Sequence, residues 1–283
     1  MPLVYCDHNF VVSAHDGSEG YKDRLRSLAS GGTDSFVLST WHWLEMARDR
    51  DTARGLSVAA FADSLTPLWF VERRGVQRRE VEDAFFRFRG LSYQQQSVIG
   101  SLAEAIADLT GTTVQTASNY SDSRAFVRHM QTLGDTHPLQ VSIRKNFEAQ
   151  RQNGEAYRTG RITDEMVKCL DKICIGGLLP SQTPAGVTID REIKDQFLQS
   201  CTNNQFPSFA VEAAFTLDGW RTGRVLSDRA FRDSQHVVAI PYVDFFVTDD
   251  ASLATAIRRV AAQLPFRTAE IIPKGEFDRQ FLR

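Results

Sequence analysis

Cysteine is scarce in this chain of 283 residues: Cys6, Cys169, Cys174 and Cys201 are the four present, and none pairs with another as C-x-x-C. That spacing excludes a disulfide framework of the secreted kind and argues against a zinc site, leaving reduced, buried thiols as the expectation. Long apolar runs are missing as well. No stretch approaches the ~20 residues that a bilayer-spanning helix requires, so no membrane segment is expected. The opening Met-Pro-Leu-Val-Tyr-Cys-Asp carries no basic region followed by an apolar one. It therefore does not read as a signal peptide, and a cytoplasmic location is expected. Charge of one sign is not in excess either: 33 Lys and Arg stand against 35 Asp and Glu, a formal net charge of −2. No global field draws the protein onto nucleic acid, and any such binding must use local patches. A Gly-rich phosphate loop of either common kind is absent, which counts against a phosphotransfer or nucleotide-binding reading.

What is present is an ordinary globular composition, 42% hydrophobic and 24% charged, enough to bury a full core. Leu3-Val-Tyr-Cys and Phe36-Val-Leu are short β-prone runs, and Ser39 or Thr40 caps a helix that carries Trp41, Leu44, Glu45 and Arg48. The apolar period continues to about Ser64, and Pro67-Leu-Trp-Phe-Val reads as a third strand before a basic helix from Val76 to Phe88. From Ser92 to Gly223 only helix-like segments are predicted, with Ser121 and Thr163 as caps. Strand and helix then alternate again: a helix from roughly Asp228 to Ile240, a strand Phe245 to Thr248, a helix Ser252 to Gln263 and a strand Glu270-Ile-Ile. This rhythm predicts an α/β fold with a mainly parallel, doubly wound sheet and helices on both faces. The expected organisation is an α/β domain in two parts, residues 1–91 and 224–283, interrupted by a large helical insertion, 92–223.

The acids are placed in a pattern. Asp7 follows the first strand, Glu45 lies one turn into the helix after the second, Asp233 opens a later helix, and Asp249 and Asp250 follow Phe245-Phe-Val-Thr. In a doubly wound sheet these positions converge at the carboxyl edge of the strands, where ligands bind. Clustered carboxylates repel and raise one another's pKa, so such a cluster calls for a divalent cation, with Mg²⁺ or Mn²⁺ the natural occupant. An ion so held activates water and clamps phosphodiester oxygens.

Taken together, Val4-Tyr-Cys-Asp7-His-Asn9, Trp43-Leu-Glu45-Met-Ala, Asp233-Ser-Gln-His236, Ala239-Ile-Pro-Tyr242 and Phe246-Val-Thr-Asp249-Asp250 resemble the PIN-domain nucleases. The order of acids fits that family, and Asp233 and Asp250 are seventeen positions apart, close to its "D … A … T-x-D" pattern. The resemblance covers residues 1–70 and 224–283 and implies a PIN-like fold and a metal-dependent ribonuclease. Asp7, Glu45, Asp233 and Asp250 would then be catalytic and, with Asp249, the ligands of Mg²⁺ or Mn²⁺. "V-T-x-D" selects Asp250, whereas a "T-D" ending selects Asp249. RNA is the expected partner, with room for a protein regulator or antitoxin. The other reading is a catalytically weak PIN-like module that binds RNA or protein.

Each residue also has a plainer explanation. Asp7 is a residue type common in turns and caps, Glu45 fits a solvated helix face beside Arg48, and Asp233 or Asp228 suits a helix amino end. His236 bonds a phosphate, orients a carboxylate or is a structural group, as are His8 and His42, and Asp244 turns the chain before Phe245. Arg73-Arg74, Arg78-Arg79, Arg87 and Arg89, interleaved with Phe85, Phe86 and Phe88, read as an amphipathic helix or an RNA track. Arg144, Lys145, Arg151, Arg158 and Arg161 form a second basic run.

Overall fold

The computed structural model describes residues 2–32, 35–92, 94, 96–134, 138–183, 186, 188–201, 205–223 and 228–282. The side chains of Arg144, Cys169 and Asp228 lie outside the described residues, as does the stretch 224–227 where the second boundary falls. The chain begins with β1 (Leu3–Cys6), α1 (His8–His15), α2 (Glu19–Ser30), β2 (Ser35–Ser39), α3 (Thr40–Ala47), α4 (Thr52–Ser64) and β3 (Leu68–Phe70). It continues through α5 (Arg73–Phe88), β4 (Ile99–Gly100), α6 (Leu102–Thr110), α7 (Val114–Ala117), α8 (Ser123–Leu133), α9 (Pro138–Arg158) and α10 (Asp164–Leu178). It ends with α11 (Arg191–Ser200), α12 (Pro207–Thr222), α13 (Asp228–Val237), β5 (Phe245–Thr248), α14 (Ala251–Ala261), β6 (Glu270–Pro273) and α15 (Lys274–Phe281).

The six strands form one α/β sheet in the order β4-β3-β2-β1-β5-β6, parallel except for β4. Strands buried on both faces read as continuous apolar runs, which is why they were legible. Successive side chains alternate between faces. Val4, Cys6, Phe36, Leu38, Trp69, Val247 and Ile272 enter one core with α1, α3, α4, α6 and α8. Tyr5, Val37, Phe70, Phe246 and Ile271 enter the other with α5, α12 and α14. Helices thus cover both faces, and among the described residues none is long and apolar enough to cross a membrane.

Several sequence expectations are corrected. The helical pattern from Thr40 to Ser64 is two helices, because Asp51 accepts the Arg54 N–H (3.1 Å) and starts α4 afresh. Gly55 allows the close crossing, since a Cβ there would stand 2.3 Å from the Met46 carbonyl oxygen. The period ran on because both helices lean on one core. The stretch 92–223 contains a strand after all: β4 is only two residues long and pairs antiparallel with β3, too short to show a period. Asp122, not Ser121, caps α8, accepting the Ala125 N–H at 2.7 Å, whereas Thr163 caps α10 as expected. α13 is helical from Asp228, so Asp233 sits inside it rather than opening it. Helices of 92–223 enter the sheet's own cores: Phe126 of α8 packs on Trp43, which lies 4.2 Å from Trp69 centre to centre.

Candidate active site

The chain leaves β1 toward β2 on one side and returns by β5 on the other, so the strand order reverses between β1 and β5. The carboxyl ends of these two strands flank the switch point at which open α/β sheets bind ligands. Asp7 lies there, 1% exposed. Its N–H donates to the Val247 carbonyl across the crevice (3.0 Å). Its carboxylate caps α1, accepting the Phe10 N–H at 2.7 Å, and takes the Thr248 hydroxyl at 2.6 Å. Burial pushes the Asp7 carboxyl up to about 6; the two hydrogen bonds oppose this, and the charge of Glu45 adds to it.

Glu45 comes from the outer turn of α3 and meets three basic side chains. His236 Nε2 donates to its Oε2 at 2.9 Å, Arg232 Nη1 stands 3.6 Å from Oε1, and His8 Nδ1 is 3.7 Å from Oε2. Burial raises the Glu45 carboxyl, yet the imidazoles of His8, His236 and His42 outweigh it and hold the group well below the usual carboxylate range. His236 in turn is 3% exposed. Burial lowers its pKa, but the hydrogen bond and charge of Glu45 win and leave it raised, with Asp7 and Asp233 contributing.

Behind His236 runs a buried chain of hydrogen bonds. The Tyr5 hydroxyl donates to Ser39 Oγ (2.8 Å) and lies 2.6 Å from His236 Nδ1. This contact holds the His236 ring from behind while its Nε2–H faces Glu45. His42 closes the network: its Nδ1 accepts the Ser39 N–H at 3.0 Å and its Nε2–H donates to the Cys6 carbonyl at 2.8 Å. Burial keeps His42 and His8 low.

The structure thus brings Asp7, Glu45 and Asp233 into one electrostatic neighbourhood around His236. The acids after β5 are placed differently. Asp250 Oδ1 accepts the N–H groups of Ser252 (2.8 Å) and Leu253 (3.0 Å) and the Ser252 hydroxyl, capping α14. Asp249 is exposed and its charge acts on Tyr21. Asp244 stays at the opposite edge, accepting the Leu3 N–H at 2.9 Å and bordering a separate cavity of about 590 Å³. His236 orients a carboxylate, one of the roles considered for it. Tyr5, Ser39, Thr248 and Arg232 escaped the sequence reading, although Thr248 stood in the quoted "V-T-x-D".

The oxygen donors of Asp7, Glu45 and Asp233 suit a hard divalent cation, and the upward push on Asp7 is what such an ion relieves. Against this, Glu45 is engaged by His236 and Arg232, and no group of three His, Cys, Asp or Glu among the described residues stands ready to hold a metal. No protein-family model, curated protein or solved structure matches the chain.

Proposed function

We propose that the chain is a metal-dependent endoribonuclease of the PIN-like type, hydrolysing RNA phosphodiester bonds. The observation that carries this reading is Asp7: a carboxylate buried at the switch point of the sheet, with Glu45 and Asp233 acting on the same imidazole. The order of acids along the chain adds its support. Asp7, Glu45 and Asp233, with Asp250 or Asp249, would hold Mg²⁺ or Mn²⁺, which when bound activates water and neutralises phosphate oxygens. The protein's own part is positioning. Thr248 and the Phe10 N–H fix the Asp7 carboxylate. His236, itself set by Tyr5, fixes Glu45 and keeps it ionised, and Arg232 brings a cation beside it. Asp7→Asn is expected to lower Mn²⁺-dependent RNA cleavage by more than about 100-fold, beyond the usual cost of losing a group that only supports a ligand. Cleavage at the parental rate by that variant sinks the reading.

A second reading, a catalytically weak PIN-like module that binds RNA or protein, is favoured by one feature. The charge of Glu45 is already balanced from within, by His236 and Arg232. Mn²⁺ separates the two: a working site is stabilised in a thermal melt increasingly, as the logarithm of ion concentration above its Kd, and a degenerate one is not.

A further inference from the structure

Beside the acids lies a cavity of about 700 Å³, within the range of small-molecule sites. It is bounded by the first turn of α5, the end of α6 and the end of α10, and its wall also includes Trp41 of α3 with Phe231 and Gln235 of α13. Of these helices, α3 and α13 also carry part of the acid site. Trp41 precedes Glu45 by four positions, one helical turn along the same face, and Phe231 and Gln235 are chain neighbours of Arg232 and His236. The cavity therefore adjoins the switch-point site through α3 and α13.

Its lining combines three arginines with the carboxylates of Glu72 and Asp108 and an aromatic wall. Arg73, Arg74 and Arg78 line it at the amino end of α5, where the helix dipole is positive too. Arg73 pairs with Glu212, and Arg78 Nη2 lies 3.0 Å from Asp108 Oδ1. Arg74 is exposed and has no ion-pair partner among the described residues. Trp41 is 7% exposed, Phe231 stands edge-on to it at 6.2 Å, and the Trp41 Nε1–H has no acceptor among the described residues. A phosphate answers the cations, and the edge of a base answers the aromatic wall.

We infer that this cavity binds a nucleotide of single-stranded RNA next to the scissile phosphate, with Arg74 and Arg78 on its phosphate and Trp41 against its base. The inference rests on the nuclease reading for its substrate. Its test is fluorescence anisotropy of the full chain with a labelled, mixed-sequence ten-nucleotide RNA, in EDTA so that nothing is cut. Arg74→Ala with Arg78→Ala is expected to weaken binding about tenfold and to flatten the slope of log affinity against log salt by roughly 1.4, as for two lost phosphate contacts on a single strand. Arg74→Ala alone, which breaks no ion pair, should weaken binding about threefold, a smaller loss from a single phosphate contact. Arg151→Ala with Arg158→Ala removes the same charge from α9 and should leave affinity unchanged. Equal losses in the two double variants overturn the subsite, as does a parent protein that binds no single-stranded RNA. Selective loss in the Arg74 and Arg78 variants without Mn²⁺-dependent cleavage keeps the subsite and removes the nuclease. Cleavage with unaltered binding by those variants does the reverse.

Discussion

Glu45 and Glu80 are the same residue type, both withdrawn from water, and their surroundings drive them in opposite directions. Glu45 faces two imidazoles and a guanidinium and stays ionised. Glu80 of α5 meets only neutral donors: the Ser208 N–H at 2.8 Å, the Ser208 hydroxyl at 2.5 Å and the Tyr242 hydroxyl. Burial then wins and lifts its carboxyl to about 7. Charged neighbours make a buried carboxylate usable as an anion, while neutral ones make it a tether, here between α5, the start of α12 and the turn before β5. Asp7 belongs with Glu80 by its partners, a hydroxyl and an N–H, although it sits beside Glu45. That is why burial, rather than a charged partner, sets its titration.

Removing the imidazole from Glu45 is the harshest way to break this contrast. His236→Ala leaves a buried carboxylate short of its main partner and is expected to destabilise by about 3–5 kcal/mol in urea unfolding at neutral pH. A loss below about 1 kcal/mol would mean that Arg232 and water suffice, as they do for exposed pairs.

Glu80 provides the pH test. Folded, it holds its proton up to about 7, whereas the unfolded chain releases it near 4.5. The folded state therefore binds more protons between these values, and stability falls as pH rises through them. The expected loss is about 3 kcal/mol. Glu80→Gln keeps the size and should flatten that slope in unfolding curves taken from pH 4.5 to 7.5; an unchanged slope removes Glu80 as its source. The sign for Glu45 is the reverse, its stabilisation being present above the normal carboxylate range and lost in acid.

Asp7→Asn probes the smaller effect. With the folded carboxyl at about 6 against 3.8, ionisation of Asp7 costs stability at pH 8. The amide retains an acceptor for the Phe10 N–H and lacks the charge, so in EDTA the variant should be more stable by about 1–3 kcal/mol. Added Mn²⁺ should narrow that gap by stabilising the parent alone. A variant less stable than the parent at pH 8 shows that Asp7 is balanced within the fold.

Much of this architecture was legible locally. Phe245-Phe-Val-Thr was placed to the residue, and β1, β2, β3 and β6 followed from apolar runs because a strand buried on both faces shows nothing else. Asp7 and Glu45 were singled out because they stand directly after a strand or one turn into a capped helix. The helix break at Arg48–Asp51 escaped because two helices leaning on one core continue one period. β4 escaped because two residues carry no period at all. Tyr5 read as a strand residue and Ser39 as a helix cap, and so they are; the Tyr5 hydrogen bond to Ser39 follows from β1 lying beside β2.

The sequence alone determined five of the six strands and that acids stand at the strand ends. Only the tertiary structure decided what those acids meet. Thr248 reaches Asp7 across 241 positions of chain and His236 reaches Glu45 across 191. Periodicity records a residue's own face and nothing about a partner that far away. The strand order, with β1 between β2 and β5, selects those partners, and through them which carboxylate stays charged and which keeps its proton.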